Sequence, residues 1–505
     1  MAIIGVDTPL HYLLYDTVTG NFIEELPFRG VSFSGGPVNQ AGSWQGNFDL
    51  QDPGLWNTDW KQSTAPNKST LIVDYGEQIV WGGVISGRKE TFDESGFQLE
   101  IDAQEGIGWW SKVVQATDYS SPPYSGITGI IGTGMPTWNA SFLWSKSIYG
   151  SSGAYGATNV PGFGAQPYIW DPMLIGAQII VDALAVPGGQ LWGGLQVNLN
   201  GVRINGASGA TAYMESGELI LPGASGVTWS GTRTPKTNYI SINFPYTSLQ
   251  YISSLLQQLT SLGWGVGFDA AVDYAYTGGN RYGKLIATLN FSYPQRGGGS
   301  SRVAHEYGEA SDLYINVGNA HSWSFPEDGT GQGSINIETG GNQDIVAIEN
   351  IYPTIGATGA SGPYYGGYPN TTLVHNIANL NSPTPTNLLQ AMGLSDSVLF
   401  SWPPVAPKIK VDMFNKEVGL GRFIVGDNVY VSLPKLDQDG KLFDPRFPAG
   451  LAQEWRIVSY NATVPDEGDC LIEFGLDSPL YWVDQSGNIV SVLDSIGLRN
   501  TPMLP

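Results

Sequence analysis

The chain has 505 residues, of which 23 are Lys or Arg and 45 are Asp or Glu, for a formal net charge of −22; charged residues make up only 13% of it. Such an apolar, sparsely charged chain is not disordered, and its negative sign speaks against neutralising nucleic-acid phosphates or binding an anionic membrane surface. A single Cys470 excludes an intrachain disulfide framework and a Cys-based zinc site.

The opening MAIIGVDTPLHYLLYD has no basic segment followed by an apolar stretch, so no secretory signal is expected. No apolar run approaches the ~18 residues that span a bilayer. The product is expected to be made, at least at first, in a reducing cytoplasm.

Short runs rich in Val, Ile, Tyr and Phe, punctuated by Gly, Asn, Asp and Pro, read as strands through residues 1–105. Leu13 to Asp16 and Phe22 to Leu26 flank a hairpin turn at 17–21. Further strands are expected at Trp44 to Leu50, Thr70 to Tyr75, Glu77 to Ser86 and Phe97 to Ile101. Their number and tight turns predict a small antiparallel barrel or sandwich.

Two segments predict helices. Residues 171–186 open with Asp171-Pro172 and stop at Pro187-Gly188-Gly189. In residues 247–262, Leu249, Ile252, Leu255, Leu256, Leu259 and Leu262 recur at helical spacing before Gly263. With strands at Tyr239 to Phe244, Gly265 to Phe268 and Leu285 to Phe291, this middle region reads as a strand–helix–strand–strand unit, an α+β domain. Residues 121–236 carry few charges and include Gly/Ser/Tyr/Pro-rich stretches; they read either as surface loops over a sheet or as an ordered contact surface. Strand patterning resumes from about 311 to 480, interrupted by a Gly/Pro-rich excursion at 353–407.

One internal echo links the ends of the chain. WGGVISGRKETFDESGFQLEI at 81–101 and WRIVSYNATVPDEGDCLIEF at 455–474 share a Trp-led apolar strand, an acidic turn and an alternating strand. The matching places Trp81 with Trp455, Ser86 with Ser459, Gly96 with Gly468 and Glu100 with Glu473, as a duplicated barrel would.

Chemistry-bearing motifs do not assemble. A nucleophile elbow would need Gly-x-Ser-x-Gly on a strand-to-helix turn, and Gly223-Ala224-Ser225-Gly226 lacks that spacing. His305-Glu306 is not followed by the second His of a zincin. His11, His321 and His375 are isolated, and Cys470 reads as a packed small residue. The pairs Glu24-Glu25, Asp93-Glu94 and Asp466-Glu467 read as strand ends and turns rather than glycosidase carboxylates. Asp437-Gln438-Asp439-Gly440 with Asp444 resembles part of a calcium loop but lacks its closing Glu. No catalytic, cofactor or metal residue is therefore nominated.

LYDTVTGNFIEELPFRGVSFSGGPVNQAGSWQGNFDLQDP is similar to the start of the large minor tail proteins of long-tailed phages that infect actinobacteria. The likeness rests on the Thr-Gly hairpin, Glu-Leu-Pro, the Val-Ser-Phe strand and the Leu-x-Asp-Pro close. NKSTLIVDYGEQIVWGGVISG resembles that family's paired strands ending in Trp-Gly-Gly-x-Ile, and LNFSYPQRGG its Tyr-Pro near a Gly turn. The resemblance covers about 1–110 and 170–320 and is weaker beyond; the stretches 118–165 and 353–407 depart from the pattern.

The resemblance implies a tail-tip or baseplate hub protein, not an enzyme and without a cofactor. The implied fold is mainly β with an α+β middle. An N-terminal β-barrel at 1–105 and a second barrel at 311–480 flank an α+β domain at 106–310, and 481–505 forms a C-terminal arm. It implies a homotrimer whose ring adapts the distal tail protein ring to the tip, meets the tape-measure protein and other minor tail or tip proteins, and lets DNA pass without binding it specifically. The implied location is the virion tail tip, after assembly in the host cytoplasm. The charge fits, because an acidic lumen would repel DNA. A glycan-binding tail adhesin that contacts the host envelope is the alternative, with Tyr364, Tyr365, Tyr368 and Trp402 as its first candidates. An envelope-degrading enzyme is a third reading.

Overall fold

In the computed structural model the described residues are 9–37, 39–93, 96–114, 191–200, 250–260, 268–292, 296, 313–326, 407–445 and 447–477, with strand or helix backbone in short pieces of 128–242, 335–381 and 481–491. The fold is mostly β, dominated by one large sheet that is antiparallel except at a single rung-set.

Its first half contains β1 (Leu10–Asp16), β2 (Phe22–Glu25), β3 (Arg29–Gly35), β4 (Ser43–Asp49), β5 (Ser69–Tyr75), β6 (Gln78–Asp93) and β7 (Gly96–Glu105). Their spatial order is β2-β1-β5-β6-β7-β4-β3. Alternation drives it: in β7, Leu99, Ile101 and Ala103 are buried while their neighbours face outward. β2 continues into β3 across Leu26, Pro27 and Phe28, so one bent strand holds both ends of this half.

The second half contains β11 (Tyr314–Asn316), β12 (Ala320–Ser324), β13 (Lys408–Asp412), β14 (Asn428–Leu433), β15 (Leu451–Val464) and β16 (Leu471–Asp477). Its order is β11-β14-β15-β16-β13-β12. Taken along the chain, these six strands occupy the places of β2, β3, β4, β5, β6 and β7. β1 has no counterpart among the described residues. Because β1 is antiparallel to both β2 and β5, omitting it leaves their equivalents side by side and parallel, and β11 is indeed parallel to β14. The one parallel contact of the sheet thus follows from the missing strand.

Ladder register refines the sequence echo. Glu100 faces Lys89 and Asn47, and Glu473 faces Asn461 and Lys410, so the two glutamates hold equivalent rungs. Bulges at Ser86 and Val458 coincide, which puts Ser459 opposite Gly87 rather than Ser86, while the two Trp residues sit two positions apart on one face. Gly96 and Gly468, both with positive φ, close the two hairpins but fall one position out of register. Between these Trp and Glu residues the two ladders differ by one residue, which lies in the hairpin connection, and the strands on either side keep their register. The 353–407 excursion falls inside the β12–β13 connection, the place of the short 36–42 turn between β3 and β4.

Between the halves lie β8 (Gln196–Asn200), α1 (Ile252–Thr260), β9 (Asp269–Tyr276) and β10 (Leu285–Ser292). β10 pairs antiparallel with β9 and parallel with β8. The expected unit changes partner here: Ile240–Ile242 pairs with Ile169–Trp170 and Leu380–Asn381, and β8 takes its place beside β10. α1 buries Ile252, Leu255, Leu256 and Leu259 as its spacing predicts, at roughly 1.5–3 kcal/mol per side chain. It starts later than expected because Tyr251 bridges to Val114 and the Ile252 N–H donates to the Val113 carbonyl at 2.9 Å. In the segment 171–186 the described positions 176, 179, 180, 183 and 184 are helical. Gly263 and strand 265–267 lie outside the described residues.

Candidate functional site

Three segments distant in sequence meet where the halves join. β3 lies antiparallel along the end of β15, with Gly35 opposite Tyr460, Phe33 opposite Ala462 and Val31 opposite Val464. A Cβ on Gly35 would stand 2.3 Å from the Tyr460 ring, so the ring lies directly on the Gly35 backbone. That ring meets Phe33 and Phe423 edge-on, at 6.3 and 5.2 Å between centroids, and its hydroxyl donates to the Val80 carbonyl at 3.2 Å. Trp81 Nε1 donates to the Ser34 carbonyl at 3.0 Å, and the Gly30 N–H donates to Asp466 at 3.0 Å. One continuous hydrophobic core runs through both halves.

A buried polar network pins β9 into this seam. Arg456 of β15 forms an ion pair with Asp269 of β9, both nearly removed from solvent, and its Nε donates to the Gly426 carbonyl at 3.4 Å. Asp269 also accepts the Arg296 N–H at 2.5 Å. Asn39, in the left-handed region with φ 67°, accepts the Ala270 N–H at 2.6 Å and donates to Asp269 at 3.4 Å. The Arg296 guanidinium pairs with Asp273, which also accepts from Asn290 at 2.6 Å. Glu105, at the end of β7, accepts the Gly42 and Gly36 N–H groups at 2.6 and 3.3 Å and so closes the 36–42 turn. Burial pushes the Glu105 carboxyl up to about 7, against the lowering pull of those two N–H groups and of Arg296. The cleft beside these groups has about 40 Å³ of free space, room for about one water molecule. A wider cleft of about 210 Å³ lies between Gln104, Gln40 and α1.

A second anchor holds the middle region on the first half. Asp74, fully buried in β5, accepts from Tyr276 at 2.8 Å and from Arg281 at 3.2 Å. Gly20, at φ 73°, lets the Leu285 N–H reach its carbonyl at 2.7 Å; a Cβ there would meet the Leu285 carbonyl at 2.5 Å. The Tyr274 ring rests on Gly82, whose Cβ would stand 2.5 Å from it, and Trp192 meets Tyr274 edge-on at 5.4 Å. Trp192 Nε1 donates to the Thr70 hydroxyl at 2.9 Å. The Thr-Gly turn and the Trp-Gly-Gly run are thus two places where the middle region touches bare backbone of the first half.

The sequence-nominated residues separate from this network. Asp437 uses its carboxylate to accept the Asp439 and Lys441 N–H groups at 2.9 and 2.8 Å, and Leu436 bridges to Leu442, so the segment is an Asp-Gly hairpin. Asp444 accepts from Trp323 Nε1 at 3.4 Å. Cys470 is half-buried against the core, its thiol pushed up by burial and then by Asp412 and Asp469. His11 pairs with Glu25 at 2.8 Å, and His321 is exposed on β12. His305-Glu306, Tyr364, Tyr365, Tyr368 and Trp402 lie outside the described residues, and the 118–165 stretch is described only as two short strand pieces. The network residues Asp269, Arg456, Arg296, Asn39 and Glu105 were not singled out, since none neighbours another in sequence. The available signal was a charge inside an apolar strand, as in Trp455-Arg456-Ile457-Val458.

No protein-family model matches the chain, and no curated protein sequence matches it. Solved structures to which it is similar include a tail protein from Neisseria meningitidis, at 10% identity and a TM-score of 0.45, covering 93% of this chain and 98% of that one. A 43 kDa tail protein of a Shewanella oneidensis prophage matches at 10% identity and a TM-score of 0.43, with the same coverage. The prophage tail protein gp18 from Listeria monocytogenes matches at 12% identity and a TM-score of 0.37, over 92% of this chain and 94% of that one.

Proposed function

We propose that this chain is a structural, non-enzymatic protein of a phage tail tip, and that three copies form a hub ring. The observation that carries the reading is the repeated six-strand ladder: one chain contributes two similar units, so three chains contribute six. Such a ring can sit against a sixfold tail ring while being built from three subunits. The sequence resemblance of the first strands to large minor tail proteins supports the same reading.

The seam chemistry is that of a rigid scaffold, with polar groups turned inward on one another. In this reading the distal tail ring and the tape-measure protein are the neighbours, other minor tail or tip proteins join them, and DNA passes through an acidic lumen. Host-envelope contact is the alternative reading, with Tyr364, Tyr365, Tyr368 and Trp402 of the 353–407 excursion as its candidates. The domain limits 1–105, 106–310, 311–480 and 481–505 belong to the same proposal.

Light scattering on the purified chain, with negative-stain images of the same peak, tests it. The expected result is a ring-shaped species of three 54.2 kDa chains. A compact monomer at all concentrations contradicts the ring.

A further inference from the structure

The chain is acidic, and the cations of its first half are unevenly placed. Between residues 9 and 114 the only Lys and Arg are Arg29, Lys61, Lys68, Arg88, Lys89 and Lys112. Arg29 lies 3.7 Å from Asp52, and Lys89 stands opposite Glu100 on the β6–β7 ladder. The other four gather round residues 60–68 of the connection from β4 to β5. Arg88 donates to the Lys61 carbonyl at 2.6 Å, Lys68 to the Gln62 side-chain oxygen at 3.1 Å, and Lys112 to the Asn67 side-chain oxygen. The Lys61 ammonium lies 5.3 Å from the centroid of the Trp60 ring, and that of Lys112 lies 5.6 Å from Trp109.

The base under these cations is fixed. Trp60 meets the buried Phe48 edge-on at 6.3 Å, and the Asn67 N–H donates to the Ile85 carbonyl of β6 at 2.8 Å. All four cations are exposed on it.

Their partners set this group apart. Arg281 is held by Asp74, Arg296 by Asp273, Arg456 by Asp269 and Lys410 by Glu473, so each of those charges is compensated. Round 60–68 the partners are a backbone carbonyl, two amides and two aromatic rings. These hold the side chains in place and leave the charge uncompensated. Asp59 and Glu90 border the group, but among the described residues no carboxylate is ion-paired with any of the four. Like charges held together cost stability, and a local cost without an internal gain marks a functional surface. Trp56, 76% exposed, stands in the same connection four residues before Trp60 and offers an aromatic contact of the type enriched at protein interfaces.

We propose that the 56–68 connection, with Arg88 and Lys112, docks an acidic segment of another polypeptide, whose carboxylates lie among the four cations and whose apolar side chains meet Trp56. A polypeptide fits this surface better than a nucleic acid. A strand of phosphates runs on past four cations over a chain of net charge −22, whereas a short segment can place acids on the cations and apolar residues on Trp56. The inference goes beyond the hub-ring reading and holds whether or not three chains assemble.

Fluorescence anisotropy of a labelled oligoglutamate, titrated with the full chain at low salt, tests it. The probe is expected to bind, and to bind more weakly as salt rises. Lys61→Glu with Lys112→Glu is expected to weaken binding about tenfold or more while circular dichroism stays unchanged, since both side chains are exposed. Lys416→Glu with Lys441→Glu, exposed cations of the second half, is the charge-matched control and is expected to bind as the parent does. The milder Lys61→Gln with Lys112→Gln keeps the measurement readable should the reversal disturb folding. Exchanging central glutamates of the probe for leucine is expected to tighten binding to the parent and not to Trp56→Ser; no gain in the parent overturns the contact at Trp56. Absence of binding, or equal losses in both reversed pairs, overturns the docking surface. An oligothymidylate of the same length that binds this patch more tightly than the peptide assigns it to nucleic acid and overturns the proposal. A lower mass by light scattering in the Lys61→Glu, Lys112→Glu variant alone assigns the patch to contact between copies of this chain and overturns it too. The ring reading is judged separately, by the mass of the parent.

Discussion

The first half of the sheet and the second differ mainly in what has been added to a shared ladder. The first gains β1, the Thr-Gly turn and a docked middle region; the second inserts residues 325–407 where the first has a seven-residue turn. Both keep the rungs around Glu100 and Glu473. Additions therefore gather at strand connections, which lie outside the ladder and tolerate length change, whereas departures inside the ladder mark places where one half must grip something the other does not.

Arg456 is the strongest such departure. It faces Asp477, on the rung where Val84 faces Gln104 in the first half. Making the halves alike with Arg456→Val strands Asp269 as a buried charge without its cation. The expected loss is about 3–5 kcal/mol, read as a lower urea midpoint. Arg456→Val combined with Asp269→Asn is expected to recover much of that loss, because the uncompensated charge has gone. A single variant as stable as the parent would mean that the seam does not depend on this pair.

Gly20 marks the next difference: the first half meets the middle region at the Leu285 carbonyl through its Thr-Gly turn, whereas the second meets it at the Arg296 carbonyl through Gly426. Gly20→Ala forces a side chain into a left-handed backbone and against the Leu285 carbonyl, at an expected cost of about 2–3 kcal/mol. Gly440 has nearly the same φ, 77°, with nothing within 4 Å of its would-be Cβ, so Gly440→Ala carries the backbone cost alone, about 1 kcal/mol. Limited proteolysis of 191–292 should accelerate in the first variant only. Equal effects would show that the close approach contributes nothing.

The same contrast explains what could be read from sequence. β7 and β10 were legible because alternation is local, and β5 because a short apolar run bounded by turn residues is local too. So was the apolar face of α1. β3 escaped the strand count drawn from patterning, because Arg29, Gly30 and Ser32 dilute it, and appeared only through its Val-Ser-Phe motif. The seam was not legible: Asp269 and Arg456 are 187 residues apart, and nothing local announces that two strands will be neighbours. The parallel β11–β14 contact was hidden for the same reason, since it depends on a strand not being there.

Glu105 gives the comparison a pH dependence. Its carboxyl is raised from 4.5 to about 7 on folding, chiefly by burial. The folded state therefore holds this proton more tightly than the unfolded one. Its contribution to stability is full below about 4.5, falls as pH rises, and is gone above about 7, a change of about 2 kcal/mol allowing for partial exposure. Glu105→Gln keeps an acceptor for the Gly42 N–H and should flatten that part of the stability–pH curve, leaving the variant the more stable protein at pH 8. An unchanged curve would place the titrating group elsewhere.

The smallest effect is expected at the rung the halves share. Glu100 accepts from the Gln45 amide, while Glu473 pairs with the Lys410 ammonium at 3.3 Å, with side chains 34% and 46% exposed. The partners come from different rungs: Lys410 faces Glu473, whereas Gln45 faces Asp102 and reaches Glu100 from two positions along β4. Double-mutant cycles, Gln45→Ala with Glu100→Ala and Lys410→Ala with Glu473→Ala, should each give a coupling of roughly 0.2–1 kcal/mol. Only the second should shrink as salt rises, because screening acts on a pair of opposite charges and weakly on a charge–amide contact. If both couplings respond to salt alike, the glutamate at this rung interacts with the general charge of the sheet rather than with its polar neighbour on the adjoining strand, and the rung is shared by geometry alone.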